Sequence, residues 1–148
     1  MYSLFLHTHS LLRWVALLLA LVVSIKYILG WLGNKEFTGG DNKLGLFYMI
    51  SMDVQLLVGL VLYIFLSPLT SHFVINMKDT QSRYWGVEHI SMMILAIIFV
   101  HVGRTLVKKG TDSSAKFRRG GIMFLLSLLL MLAAIPWPFR ELVGRPWF

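Results

Sequence analysis

Apolar residues run through this chain in four long blocks separated by three short polar segments. The blocks cover about residues 4–32, 44–66, 84–107 and 121–136, and the breaks fall at 33–43, 67–83 and 108–120. None shows the strict alternation of a strand with one wet face. Each is of the order of the roughly 20 residues that a helix needs to cross about 30 Å of hydrocarbon. Only helices and closed barrels satisfy their backbone within lipid, so the pattern predicts four transmembrane helices. Short connections make sequence neighbours antiparallel, and the expected fold is an all-α, four-helix antiparallel bundle forming one domain over 1–148.

Helical phase sorts the residues within each block. His9, Arg13, Ala16, Ala20, Ser24 and Tyr27 recur at spacings of three and four, so the first helix carries one small and polar face. In the third, His89 shares a face with Trp85, Met92, Met93, Ala96, Val100 and Gly103. In the second, Gly45, Met49, Met52, Leu56, Gly59 and Tyr63 align, with Asp53 and Gln55 at the flanks. His7 falls about 200° around the helix from His9, which leaves His9 as the inward histidine.

Composition agrees with the pattern. Hydrophobic residues make up 57% of the 148 positions and charged ones 14%, against about 25% charged in a typical soluble domain. A soluble enzyme is excluded on that basis, because so small a globule could not hide the excess. The net charge of +7 is unevenly placed. Nine basic residues (Lys26, Lys35, Lys43, Arg104, Lys108, Lys109, Lys116, Arg118, Arg119) surround the first and third connections, against four (Lys78, Arg83, Arg140, Arg145) at the second and in the tail. The positive-inside rule then places both termini on the outer, periplasmic side of a bacterial inner membrane, and the charge needs no nucleic-acid partner. The apolar stretch at the amino terminus is too long, and too poor in basic leader residues, for a cleavable signal peptide. Absence of cysteine rules out disulfides, thiolate-held clusters and covalently attached haem.

Ionisable groups inside a span are costly and mark candidate sites. At about 1.5 Å per residue, His9 and the Glu88–His89 pair lie at one outer level. Arg13 lies a turn deeper, and Asp53 reaches a similar middle depth from the other side, so an Arg13–Asp53 pair is expected beneath the histidines. His101 lies near the inner face with no histidine opposite it. Two imidazoles from different helices at one depth can ligate haem iron axially, with Arg13, Met92 and Met93 beside the cofactor. The alternative is a bare transition-metal ion held by His7, His9, Asp53, Glu88 and His89. A structural subunit or a small transporter built on the Arg13–Asp53 pair is a third reading. The indoles of Trp14, Trp85, Trp137 and Trp147 are expected in an aromatic belt at the outer interface, with no cofactor role.

Three short motifs carry a resemblance: His-Thr-His-Ser-Leu-Leu-Arg-Trp from His7 to Trp14, Val-Glu-His from Val87 to His89, and Ile-Pro-Trp-Pro-Phe from Ile135 to Phe139. Together they resemble short bacterial inner-membrane proteins filed as cytochrome b, loosely similar to the cytochrome b561 bundles. The resemblance implies non-covalent haem b held by histidines, with His9 and His89 as ligands and His7 as a substitute. It also implies electron exchange with a quinone or another carrier. Apart from the resemblance, a homodimer or a respiratory-chain partner is expected. Two-haem bundles of that kind use four histidines at two levels, whereas His101 stands alone at the inner level here. One haem is therefore the expectation.

Overall fold

The structure is a computed structural model that describes residues 1–70, 72 and 74–147. Among them, four helices are long and apolar enough to cross a membrane, and no strand occurs. Helix α1 runs over Tyr2–Leu32. Helix α2 covers Gly39–Val61 and continues through a π-helical turn, Leu62–Leu66. The short helix α3, Thr80–Arg83, leads through a second π-helical turn, Tyr84–Glu88, into α4 at His89–Lys108. Helix α5 is Ser113–Ala134. Packing joins α1 to α2, α2 to α4, α4 to α5 and α5 back to α1, which closes a four-membered ring.

Three of the spans begin earlier than hydropathy predicts, because polar caps rather than apolar content start a helix. Thr38 and Asp41 form a reciprocal capping box at α2, while Asp79 and Asp112 accept the N–H groups of Ser82 and Ala115 at α3 and α5. Such side chains satisfy donors that the first helical turn leaves free. The fourth span ends at Ala134, just before Ile135-Pro136, since the residue preceding a proline is driven out of helical geometry.

The expected inner face of α1 is the observed one: Arg13, Ala16, Ala20, Ser24 and Tyr27 are buried. Around them pack Tyr48 and Met52 of α2, Ala96 and Val100 of α4, and Phe124 and Met131 of α5. Without a hydrophobic drive between helices in lipid, close packing must hold the bundle. Gly120 makes that closeness visible: a Cβ there would lie 2.5 Å from Val107 Cγ2 and 2.8 Å from the Tyr27 ring. Beside it, the Tyr27 ring meets Phe37, Phe117 and Phe124 edge-on at centroid distances of 5.7, 5.5 and 5.1 Å. Large aliphatic residues such as Leu18, Leu57 and Leu129 point away from the bundle, as a chain solvated by lipid requires.

Arg104, near the end of α4, is buried although nothing in its sequence surroundings singles it out. Its Nη1 donates to the backbone oxygen of Asn42 at 3.1 Å and to the Asn42 Oδ1 at 3.0 Å, tying α4 to the first turn of α2. Next to this contact Lys26 reaches Asp41 at 3.0 Å. The basic end of the bundle is thus fastened by polar contacts, and the opposite end is left to form the site.

Candidate functional site

The site begins with a proline. An α-helical carbonyl accepts from the N–H four residues later, and proline has none. Pro136 therefore leaves the carbonyl of Leu132 without its usual partner, and because α5 ends at Ala134 the carbonyl of that last residue has no intrahelical partner either. The Trp137 indole donates to Leu132 O at 2.9 Å. Ala134 O instead takes two side chains from across the bundle, the Tyr84 hydroxyl at 2.6 Å and His89 Nδ1–H at 2.9 Å. A carbonyl can only accept, so the His89 proton sits on Nδ1 and a neutral ring keeps its Nε2 lone pair free. A backbone oxygen behind Nδ1 is the usual way a ligand imidazole is oriented.

His9 stands opposite. The two ring centroids lie 6.4 Å apart with planes at 70°. Two imidazoles from different helices that shared one ion would stand at a comparable spacing, about 6 Å between ring centres. Gln55 of α2 is buried and donates to the backbone oxygen of His9 at 3.0 Å, with His9 Nε2 at 3.3 Å from the same amide nitrogen. His9 Nδ1 and Gln55 Oε1 are buried without a hydrogen-bond partner. Buried polar atoms are usually hydrogen-bonded, and water or a bound group in the adjoining space would satisfy this pair.

That space consists of two adjoining clefts. The larger, about 110 Å³ and open on one side, is walled by α1, α2 and α4 through residues including Leu6, Leu60, Tyr63, Ile90 and Ile97. The smaller, about 50 Å³, reaches Arg13, Met131 and Pro136. His9, Gln55, Trp85, His89, Met93 and Arg145 line both. The two π-helical turns frame the larger cleft, and the Tyr63 hydroxyl of one donates to Gly86 O of the other at 2.7 Å. Such turns recur at functional sites because they displace side chains from the regular helical phase.

Two guanidinium groups border the clefts. Arg145 lies over the Trp85 ring at 4.9 Å. Arg13 donates through Nη2 to Trp147 O at 2.9 Å, and the Trp14 indole donates to the same oxygen at 2.8 Å. The tail after α5 is thereby strapped across the end of the bundle.

Several expectations are corrected by these contacts. Arg13 and Asp53 do not pair: depth matches them, but Asp53 faces the α2/α4 seam and bonds His101 Nε2 at 2.8 Å. His101 therefore does have a partner on another span, a carboxylate. Glu88 is not turned to a shared ion with the histidines, because the π-helical turn brings residues five apart together and Arg83 Nε takes its carboxylate at 2.7 Å. His7 is exposed on the far side of α1. Met92 sits one residue, about 100°, around the helix from Met93 and lines neither cleft. The bare-ion reading loses its ligand set with Asp53, Glu88 and His7. Among the described residues no group of three or more His, Cys, Asp and Glu side chains could hold a metal. Trp85 is part of the site rather than only of an interfacial belt, its ring 5.6 Å from His89. Gln55 and Arg145 carried only weak signals in the sequence, a polar residue at a helix flank and a basic residue in an aperiodic tail.

No protein family, curated protein or solved structure matches the chain when it is compared with each in turn. Function must be argued from the site alone.

Proposed function

We propose that this chain is a single-haem b-type membrane cytochrome that carries electrons between a quinol-type donor and a partner near the outer face. The observation that carries the reading is the His9–His89 pair: two imidazoles from different helices, 6.4 Å apart, with the Nε2 of His89 freed by its Nδ1 bond to Ala134. The donor set fits haem b in its other parts as well. Arg13 and Arg145 offer positive charge to two carboxylates, and Leu6, Leu60, Ile90, Met93 and Ile97 offer apolar walls. Cofactor pockets usually measure about 300–1,000 Å³. At about 110 Å³ the larger cleft falls below that range, so binding a macrocycle would require it to widen between α1, α2 and α4.

When bound, haem supplies one-electron transfer within a short reach of the membrane surface. The chain's own residues set the conditions. Ala134 O and Tyr84 fix the ring of His89, and Gln55 holds the first helix at His9. Arg145, braced on Trp85, stands at the mouth of the cleft between the bundle and its tail. The excess of basic residues at the opposite end supports placing that end in the cytoplasm, and hence the site near the outer face of a bacterial inner membrane.

Haem content of purified variants tests the reading. Wild type and His7→Ala should each hold about one haem per chain, since His7 lies outside the site, whereas His9→Ala and His89→Ala should lose most of it. A wild-type protein that takes up no haem, in cells or on reconstitution, overturns the proposal.

A further inference from the structure

The His101–Asp53 pair belongs to neither the site nor the core. The two side chains are 49% and 39% exposed on the outward surface where α2 meets α4. At about 1.5 Å per residue, Asp53 lies some 15 Å along its helix from Lys43, and His101 some 10 Å from Lys108. Both therefore lie within the spans, Asp53 about three turns and His101 about two turns from the basic end, where an ionisable group in contact with lipid is costly.

The other outward surfaces differ. The exposed residues of α1 between Leu11 and Ile25 are aliphatic throughout, and so are those of α5 between Ile122 and Ala133. Lipid suits those faces. On the α2/α4 face the exposed Ile50, Leu57, Ile94 and Ile98 lie at helical spacing from Asp53 and His101 and form an apolar frame around the polar pair.

We propose that this face is covered by a second copy of the chain, docked through the Asp53–His101 pair. The reason for a copy rather than a foreign helix is self-complementarity. Nε2 and Oδ1 are spent on the internal contact, while His101 Nδ1 and Asp53 Oδ2 make no hydrogen bond among the described residues. A two-fold contact places the same patch on both sides. With one proton held on each His101–Asp53 pair, each copy donates from His101 Nδ1–H to Asp53 Oδ2 of the other, and four groups share one enclosed, neutral cluster. Interhelical polar contacts of this kind hold membrane helices together.

The chain has no cysteine, so single cysteines report neighbours cleanly. Ile98→Cys and Leu57→Cys variants in liposomes, treated with a short bis-maleimide, should yield roughly tenfold more covalent dimer than Leu18→Cys or Leu129→Cys on the lipid faces. Single-molecule photobleaching of the labelled wild type should show mostly two steps. His101→Asp should reduce the dimer fraction roughly tenfold, and the exchanged pair Asp53→His with His101→Asp should restore it. A monomeric wild type, equal cross-linking on all faces, or a dimer indifferent to His101→Asp overturns the proposal. Haem content is read separately, so failure here leaves the His9–His89 reading intact.

Discussion

Ala134 shows how one residue acquires a role through its neighbours. Its carbonyl is free because α5 ends there, ahead of Ile135-Pro136, and that single oxygen orders both Tyr84 and His89. Tyr84→Phe removes one of the two donors and should cost about 1 kcal/mol of stability, as buried hydrogen bonds typically do. Thermal unfolding in detergent measures it. Gln55→Leu keeps the volume but releases the His9 backbone and the adjacent ring. Haem affinity should fall in that variant while the fold, followed by circular dichroism, is kept.

At this scale the sequence was legible in part. The meeting of His9 and His89 follows from depth and phase, which a regular helix reports faithfully. The Arg13–Asp53 pair failed because depth gives a level but not a side of the bundle. Asp53 turned to the α4 seam, and Arg13 found the tail instead. Glu88 failed for a different reason: a π-helical turn brings it to Arg83, and no residue in Tyr84–Glu88 announces that turn. Met92 failed because it stands about 100° around regular α4 from Met93.

Among the elements, the helices are set by caps and contacts that hydropathy does not see. Gly120 admits α1 and α4 to van der Waals contact with α5. Gly120→Leu should overpack this junction and cost on the order of 1–3 kcal/mol or more, read as a lower melting temperature. Thr38→Ala removes one half of the capping box on α2 and should cost about 1 kcal/mol by the same measurement. Asp112 gives the pH dependence outside the membrane. The Ala115 N–H bonded to its carboxylate, helped by Thr111 and Arg118, holds its pKa below the usual aspartate range. A group depressed in the folded state contributes above its unfolded pKa of about 3.9 and loses that contribution as pH falls through the folded value. Stability should therefore decline on acidification below about pH 4, and Asp112→Asn should flatten that part of the profile. The positions of all four spans were readable from apolar runs. The ends were not, because Thr38, Asp79 and Asp112 lie in the polar segments that mark only a gap.

For the whole molecule, charge and chemistry divide the bundle into two ends. One holds the Lys26–Asp41 and Arg104–Asn42 contacts. The other holds the histidines, the clefts and the strap of the tail over Arg13 and Trp14. Reporter fusions near Lys109 should read as cytoplasmic, and fusions after Pro146 as external; the reverse pattern would move the site to the inner face. The central claim is that the outer end of this bundle holds a haem between two histidines. A reduced-minus-oxidised visible spectrum of the protein purified in detergent tests it most directly. Haem held by His9 and His89 should give a sharpened α-band and a shifted Soret band, both lost in His89→Ala; a colourless wild-type protein with a featureless difference spectrum would overturn that reading.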